Sequence, residues 1–143
     1  MGANSRVTVA AHALAWMGLN ERMGGDLSTS DQIANSVNTN PVVIRRMLGE
    51  LRDAGLVESR RGAGAGWRLA RALESITLAD VYDAVNGGPV FALHPAPPNE
   101  KCPVGHGIQA ALDPVYGNAE KALRAELART TVADVLRDSI AVR

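Results

Sequence analysis

Residues 28–55 read STSDQIANSVNTNPVVIRRMLGELRDAG, and this stretch decides the fold. Its first five residues offer overlapping capping boxes for a short helix over 30–37. A tight turn follows, in which Asn40 suits the cap of the next helix and Pro41 suits its first position, where a missing amide proton costs nothing. Gly55 suits the left-handed position just past a helix end. Two helices joined by so tight a turn predict a helix-turn-helix.

The helix predicted to begin at Pro41 has two different faces. One face is apolar and carries Val43, Ile44, Met47, Leu48 and Leu51. The opposite face carries Val42, Arg45, Arg46, Gly49 and Arg52. Arginine can donate paired hydrogen bonds to guanine or phosphate, valine can contact a thymine methyl, and glycine lets the backbone approach closely. This second face predicts a helix that enters the major groove, and a solvated basic face without a ligand is the alternative.

A β-hairpin is predicted directly after this helix. Residues 56–59 suit a short strand, 60–66 a glycine-rich turn and 67–69 the returning strand. Three arginines flank the tip: Arg60, Arg61 and Arg68. A tip this small can lie along a sugar-phosphate backbone or in the minor groove. A nucleotide-binding phosphate loop is disfavoured, because no Gly-Lys-Ser/Thr follows and no helix begins at the glycines. The predicted unit is a winged helix-turn-helix.

The net charge of zero hides an uneven distribution. Residues 1–71 contain nine arginines, no lysine and six acidic residues, whereas 72–143 contain six basic and nine acidic residues. A basic half drawn wholly from arginine favours a nucleic-acid partner. The single cysteine excludes an intrachain disulfide, and the absence of a long apolar run predicts a cytoplasmic protein without a membrane partner. Three scattered histidines and no evident carboxylate pair argue against an enzyme.

Helices are also predicted outside the winged unit. Apolar spacing near the N-terminus indicates a first helix that ends near Met17, before a loop that starts at Gly18. Thr77 with Asp80 forms a capping box for a helix over 77–85. Five of the seven prolines lie between this helix and the next one. A connection so long without secondary structure is typical of a boundary or a functional loop.

A long amphipathic helix is predicted from Val104 onward, with a short last helix that begins near Thr131. The predicted dimerisation residues lie on this long helix: Ile108, Leu112, Val115, Ala119 and Leu123. The same helix of a second subunit would cover its apolar face, and packing back onto the winged unit is the alternative. The predicted fold is therefore mainly α with a small β-hairpin. It comprises a winged helix-turn-helix domain over 1–88, a proline-rich sensing or connecting loop over 89–103, and a dimerisation segment over 104–143.

Several strings resemble the Rrf2 family of winged-helix transcriptional regulators. They are IA at 33–34, NP at 40–41, LRDAGLV at 51–57, RG at 61–62, GWRLAR at 66–71 and ITLADV at 76–81. The resemblance implies a long dimerisation helix, an operator with two similar half-sites and a sensing element in the loop before that helix. Some members hold an iron–sulfur cluster there through three cysteines. This chain has only Cys102, so we expect no cofactor, and the string CPVGH at 102–106 resembles cluster-free members.

Cys102 has surroundings that suit a reactive thiol. If Pro103 occupies the first helical position, Cys102 caps the long helix, where backbone amides and the helix dipole favour a thiolate. One hypothesis is a redox or electrophile sensor that pairs with Cys102 of the partner subunit or with a small thiol. The alternative is a polar cap without chemistry. No metal site is predicted, because Cys102, His106 and His94 offer fewer firm ligands than a zinc site needs.

The sequence therefore predicts a DNA-binding transcriptional regulator that acts as a homodimer on double-stranded DNA, with a repressor favoured and an activator left open. The predicted DNA-binding residues are Ser28, Thr39, Asn40, Val42, Arg45, Arg46, Arg52, Arg60, Arg61 and Arg68. The alternative is a winged-helix module that binds another protein and leaves these arginines solvated. The effector and the operator sequence stay open.

Overall fold

The computed structural model describes residues 5–86 and 88–141. Its elements, in chain order, are α1 (Arg6–Arg22), α2 (Ser30–Val37), α3 (Pro41–Asp53), β1 (Val57–Arg60), β2 (Gly66–Leu69), α4 (Leu78–Val85), α5 (Pro103–Leu127) and α6 (Val132–Ala141). A short 3-10 helix, Leu73–Ser75, which the sequence did not predict, connects β2 to α4. The predicted class, mainly α with a small hairpin, is confirmed. The parts of the predicted ranges at 1–4, 87 and 142–143 lie outside the described residues.

The predicted helix-turn-helix is confirmed in its capping as well as its helices. The Thr29 hydroxyl accepts a hydrogen bond from the backbone N–H of Gln32 (3.1 Å), and the Gln32 side chain accepts one from the backbone N–H of Thr29 (2.9 Å). Asn38 ends α2 in the left-handed conformation, with φ of 66°. Asn40 then caps α3, because its Oδ1 accepts from the backbone N–H of Val42 at 2.8 Å. These local bonds fix where α2 and α3 begin.

The core lies where α1 meets the helix-turn-helix, α4 and α6, all of which α1 contacts. Among its fully buried side chains are Leu14, Met17, Ile33, Ile44, Leu48, Leu51, Ile76, Val81 and Val132. Burying each of these stabilises the fold by about 1.5–3 kcal/mol relative to exposure. The apolar face predicted for α3 supplies four buried residues, whereas Val43 remains 39% exposed.

The beginnings of α4 and α6 are joined to each other. Thr77 and Thr131 form an antiparallel bridge, in which Leu78 N–H donates to the Thr130 carbonyl (2.9 Å) and Val132 N–H donates to the Ile76 carbonyl (2.8 Å). Both threonines also cap their own helices through matching boxes with an aspartate three residues on. The short last helix begins as predicted, and it packs on α1.

Among the described residues, the long helix α5 packs against the rest of the chain along one side only. Among its described residues none is buried. The Tyr82 hydroxyl donates to Glu120 at 2.7 Å, and the Arg124 guanidinium forms two hydrogen bonds with the Asp83 carboxylate (3.0 and 2.5 Å). These contacts fix α5 to α4 and leave its other faces open.

Candidate nucleic-acid interface

The outward face of α3 presents two exposed arginines. Arg45 and Arg46 are exposed, and Val42, one turn before Arg46, is 52% exposed. Within residues 5–86 and 88–141, neither guanidinium has an ion-pair or hydrogen-bond partner. Both are therefore available to donate to guanine edges or phosphate oxygens.

The start of α3 adds a smaller polar contribution. Asn40 is exposed; its Oδ1 accepts the hydrogen bond of the helix cap, and its amide Nδ2 has no acceptor among the described residues and can donate to DNA. Thr39 is half-buried, and its backbone N–H donates to the Ala34 carbonyl at 3.1 Å. Both residues lie next to the exposed face of α3, as the sequence predicted.

The three arginines of the hairpin differ in their ion-pair partners. Arg68 pairs with Glu58, the residue directly opposite on β1, and this hydrogen bond is the main cause that raises the pKa of Arg68. Arg60 lies 4.0 Å from the Asp26 carboxylate. Arg61 has no partner among the described residues. Because exposed ion pairs are weak, a phosphate could replace either carboxylate, but Arg61 is already free to bind one.

Arg52 connects α3 to the hairpin. Its guanidinium carbon lies 5.8 Å from the centre of the Trp67 ring, within the range of a cation–π contact, and its Nε lies 3.5 Å from Asp53. A groove of about 360 Å³ separates the end of α3 from the hairpin, and Arg52, Arg60 and Arg61 line it. The sequence did not single out Trp67, because nothing local indicates that its ring meets Arg52.

Ser28 is not part of this surface, which corrects the predicted set. Its side chain is buried, with 2% of the residue exposed, and its hydroxyl accepts from Asn20 Nδ2 at 3.2 Å. Its backbone forms an antiparallel bridge with Trp67 through two hydrogen bonds of 2.8 Å. A Cβ at Gly66 would lie 3.0 Å from the Ser28 carbonyl oxygen, so glycine permits this close pairing. Ser28 therefore anchors the hairpin and cannot reach DNA.

The predicted dimerisation residues separate onto two faces of α5. Leu112 and Leu123 are half-buried on the side that also carries Tyr116 and Glu120, the side turned toward the same chain. The other apolar face is exposed, and we call it the α5 stripe: Val104, Ile108, Ala111, Val115, Ala119 and Ala122. Val104 is 68% exposed and Val115 57%. Leu112 and Leu123 therefore lie on the side that faces their own chain, and the dimerisation role of the whole set stays a prediction.

Cys102 caps α5 as the sequence predicted, with Pro103 at the first helical position. The exposed thiol makes no full capping hydrogen bond. The nearby backbone N–H groups of Gly105 and Val104 nevertheless lower the pKa of the Cys102 thiol. This position favours the thiolate at the helix N-terminus.

Comparison with known proteins places the whole arrangement in one family. The sequence model described as "Rrf2: Iron-dependent Transcriptional regulator" matches residues 3–138. The HTH-type protein YwnA of Bacillus subtilis is 42% identical over 134 residues, which are 93% of this chain and 96% of YwnA. The HTH-type transcriptional regulator IscR of Cereibacter sphaeroides is 25% identical over 128 residues, 90% of this chain and 82% of IscR. A solved structure from Lactobacillus plantarum superposes with a TM-score of 0.78 at 25% identity, covering 94% of this chain and 89% of that one.

The donors available do not fit the iron that the family description names. An iron–sulfur cluster is usually held by about three or four protein ligands, mostly cysteines, and the full sequence has one cysteine. In the part of the chain that the structure describes, no three His, Cys, Asp or Glu side chains form a group that could hold a metal ion. None of the helices in the same ranges combines the length and apolar character needed to cross a membrane.

Proposed function

Because the chain belongs to the Rrf2 family of transcriptional regulators, which are not enzymes, we propose that it binds operator DNA as a homodimer and represses transcription. The observation that carries this proposal is the pair of exposed, unpartnered arginines on α3, Arg45 and Arg46. In this proposal α3 enters the major groove, and the hairpin follows the adjacent backbone through Arg61. Such a regulator acts in the cytoplasm, on the chromosome.

The α5 stripe supports a second copy of this chain as the dimer partner. The stripe repeats every three or four residues along a helix of 25 residues, as helix pairs require. Three of its six residues are alanines, which let two helices approach closely. A two-fold symmetric pair would present two copies of α3 and so select an operator with two similar half-sites. Repression follows if that operator overlaps a promoter.

The proposal is tested by DNA selection with the purified full-length protein. Duplexes enriched from a random pool should contain an inverted repeat and bind more weakly as salt rises. The double variant Arg45→Ala/Arg46→Ala should lose this binding, whereas Arg129→Ala, an exposed arginine beyond α5, should retain it. Enrichment of no sequence, or full binding by the double variant, would favour the protein-binding module instead.

We further propose that the Cys102 thiol makes DNA binding sensitive to oxidants. A peroxide would convert the thiolate to a sulfenic acid with release of hydroxide, and a second thiol would then displace water to form a disulfide. The exposure of the thiol and its place at the start of α5 support this step. Cys102→Ser should bind DNA equally with and without peroxide. Mass spectrometry that finds Cys102 still reduced while peroxide releases the DNA would refute the proposal.

A further inference from the structure

Residues 88–102, a segment that lies between α4 and α5, fold back along α5 and border a cavity of about 420 Å³. Two contacts fix the segment. Near α4, the rings of Phe91 and Tyr116 stack with their centres 5.3 Å apart. Near the start of α5, Gly105 lies so close to Asn99 that a Cβ on it would be 2.2 Å from the Asn99 carbonyl oxygen. The segment therefore touches α5 on both sides of an open space, which we call the α5 pocket.

The wall of the α5 pocket is mainly apolar and contains several rings. Its apolar lining includes Leu93, Pro97, Pro98, Ile108 and Leu112. Tyr116 adds an aromatic ring, against which an aromatic ligand can pack in an offset or edge-to-face arrangement. Its volume lies within the range of cavities that hold small organic molecules.

Three polar groups in the α5 pocket have unused hydrogen-bonding capacity. Among the described residues, the side chains of Gln109 and Tyr116 have no hydrogen-bond partner. Nδ1 of His94 lies 3.2 Å from the backbone N and O of Ala96, which leaves Nε2 as the uncommitted nitrogen. None of the lining residues is Lys, Arg, Asp or Glu. A small number of polar groups in an apolar wall is what orients a ligand, and the absence of full charges selects an uncharged one.

We propose that the α5 pocket binds a small, uncharged aromatic molecule with at least one hydrogen-bonding group, and that this ligand changes DNA binding. The second half of the statement rests on the proposed function. Ile108 belongs to both the pocket and the α5 stripe, so a bound ligand touches the proposed dimer surface. Tyr116 lies one helical turn before Glu120, which accepts the hydrogen bond from Tyr82 on α4. A bound ligand therefore contacts α5 next to the proposed dimer surface and next to the hydrogen bond that joins α5 to α4.

A larger cavity of about 530 Å³ between α1, α2 and α6 is less suited to a specific ligand. Nε2 of His12 lies 2.9 Å from the Ser36 hydroxyl, and the Ser139 hydroxyl donates to the Val135 carbonyl at 2.7 Å. Those polar groups are already committed within the protein. Thr8 and Trp16 also line this cavity and have no hydrogen-bond partner among the described residues, but both lie on α1, whereas the free polar groups of the α5 pocket come both from α5 and from the segment folded over it.

Nuclear magnetic resonance of the isotope-labelled full-length protein tests the pocket, with indole and p-cresol as probes and benzoate as a charged comparator. Both uncharged probes should shift the side-chain amide signals of Gln109 in a saturable way, and benzoate should bind more weakly. Ala92→Trp places a large ring in the pocket lining and should weaken indole binding about tenfold or more. Ala110→Trp, at an exposed position on the polar side of α5, is the matched control and should bind indole like the wild type. Gln109→Leu offers a second variant that removes only a polar group, and it should also weaken binding.

The outcomes separate this inference from the proposed function. Indole should change the dissociation constant for the selected operator about threefold or more in the wild type and not in Ala92→Trp. The inference is overturned if no probe saturates, as it would be if residues of a second copy filled the pocket, or if benzoate binds as tightly as indole. Equal weakening by Ala92→Trp and Ala110→Trp would overturn it as well. Saturable indole binding by a protein that selects no operator in the absence of indole would instead contradict the proposed function.

Discussion

Replacing Arg45 and Arg46 one at a time should reveal which arginine contacts a base and which contacts a phosphate. The two residues are adjacent on α3, so they point about 100° apart and cannot make the same contact. A bidentate contact with guanine contributes about 1–3 kcal/mol to discrimination, and a symmetric dimer makes each contact twice. Removing a base-contacting arginine should therefore weaken operator binding by about 2–6 kcal/mol, or about 30-fold at the least.

A phosphate-contacting arginine should behave differently. Each phosphate contact adds about 0.9 to the slope of log affinity against log salt, so loss of two per dimer should reduce that slope by about 1.8. Fluorescence anisotropy of labelled operator and scrambled duplexes over a potassium chloride series measures both quantities. Base contact predicts a loss confined to the operator, whereas phosphate contact predicts an equal loss on both duplexes.

The result that would refute this reasoning is an unchanged affinity and an unchanged salt slope in both single variants. Unfolding could not explain a loss, because both side chains are exposed and have no partner in the described ranges. Substitutions at such positions usually change stability by no more than about 0.5 kcal/mol. Circular dichroism of each variant verifies this. Unchanged binding would mean that α3 does not face DNA.

Four further outcomes are expected. Val115→Glu puts a carboxylate in the α5 stripe and should weaken dimerisation by several kcal/mol in sedimentation equilibrium, whereas a dimer built on another surface would be unaffected. Trp67→Ala removes a partly buried ring that packs against the core beneath Arg52 and should lower stability by about 2–3 kcal/mol in thermal unfolding; an unchanged midpoint would show that the ring does not contribute to packing. Burial and the hydrogen bond to Glu120 raise the pKa of Tyr82 from 10.0 to about 12, so its contribution to stability is complete below pH 10 and is lost as the pH approaches 12. Urea unfolding at several alkaline pH values should show that loss in the wild type and not in Tyr82→Phe. Dialysis against an iron chelator should leave operator affinity unchanged, and iron-dependent binding would show that the chain holds iron in another way.

The helix-turn-helix was predictable because its signals are local. The Thr29 box, the Asn40 cap and Pro41 act over two to four residues, so the sequence alone locates α2 and α3. The end of α1 was mispredicted for the opposite reason. Gly18 suggests a loop, yet α1 continues to Arg22. A Cβ at Gly18 would lie 2.1 Å from the Leu73 side chain, so this glycine serves helix packing and not chain reversal.

The surface residues show the same division between local and distant causes. The exposure of Arg45 and Arg46 follows from the spacing of apolar residues within α3. The burial of Ser28 depends on its pairing with Trp67, which lies 39 positions further along the chain, and no spacing rule reports that register. The two apolar faces of α5 could not be separated by periodicity alone, because both repeat every three or four residues. Leu123 is assigned to the inner face by the packing of α5 on α4, and Leu112 by the segment that folds over it.

A continuous series of contacts joins α5 to α3. Glu120 on α5 accepts from Tyr82 on α4, and the α4 carbonyl of Val85 accepts from Arg6 Nε at 3.0 Å, while the same guanidinium pairs with Glu50 on α3. The Arg6 and Glu50 side chains are 38% and 36% exposed, so their ion pair can rearrange at little cost. A ligand can shift such an equilibrium only by the difference in its affinity for the two arrangements. The fully buried side chains around α1 resist displacement, because protein cores are close-packed. A ligand on α5 can therefore act on α3 only through the weak, partly exposed contacts at the surface of that core.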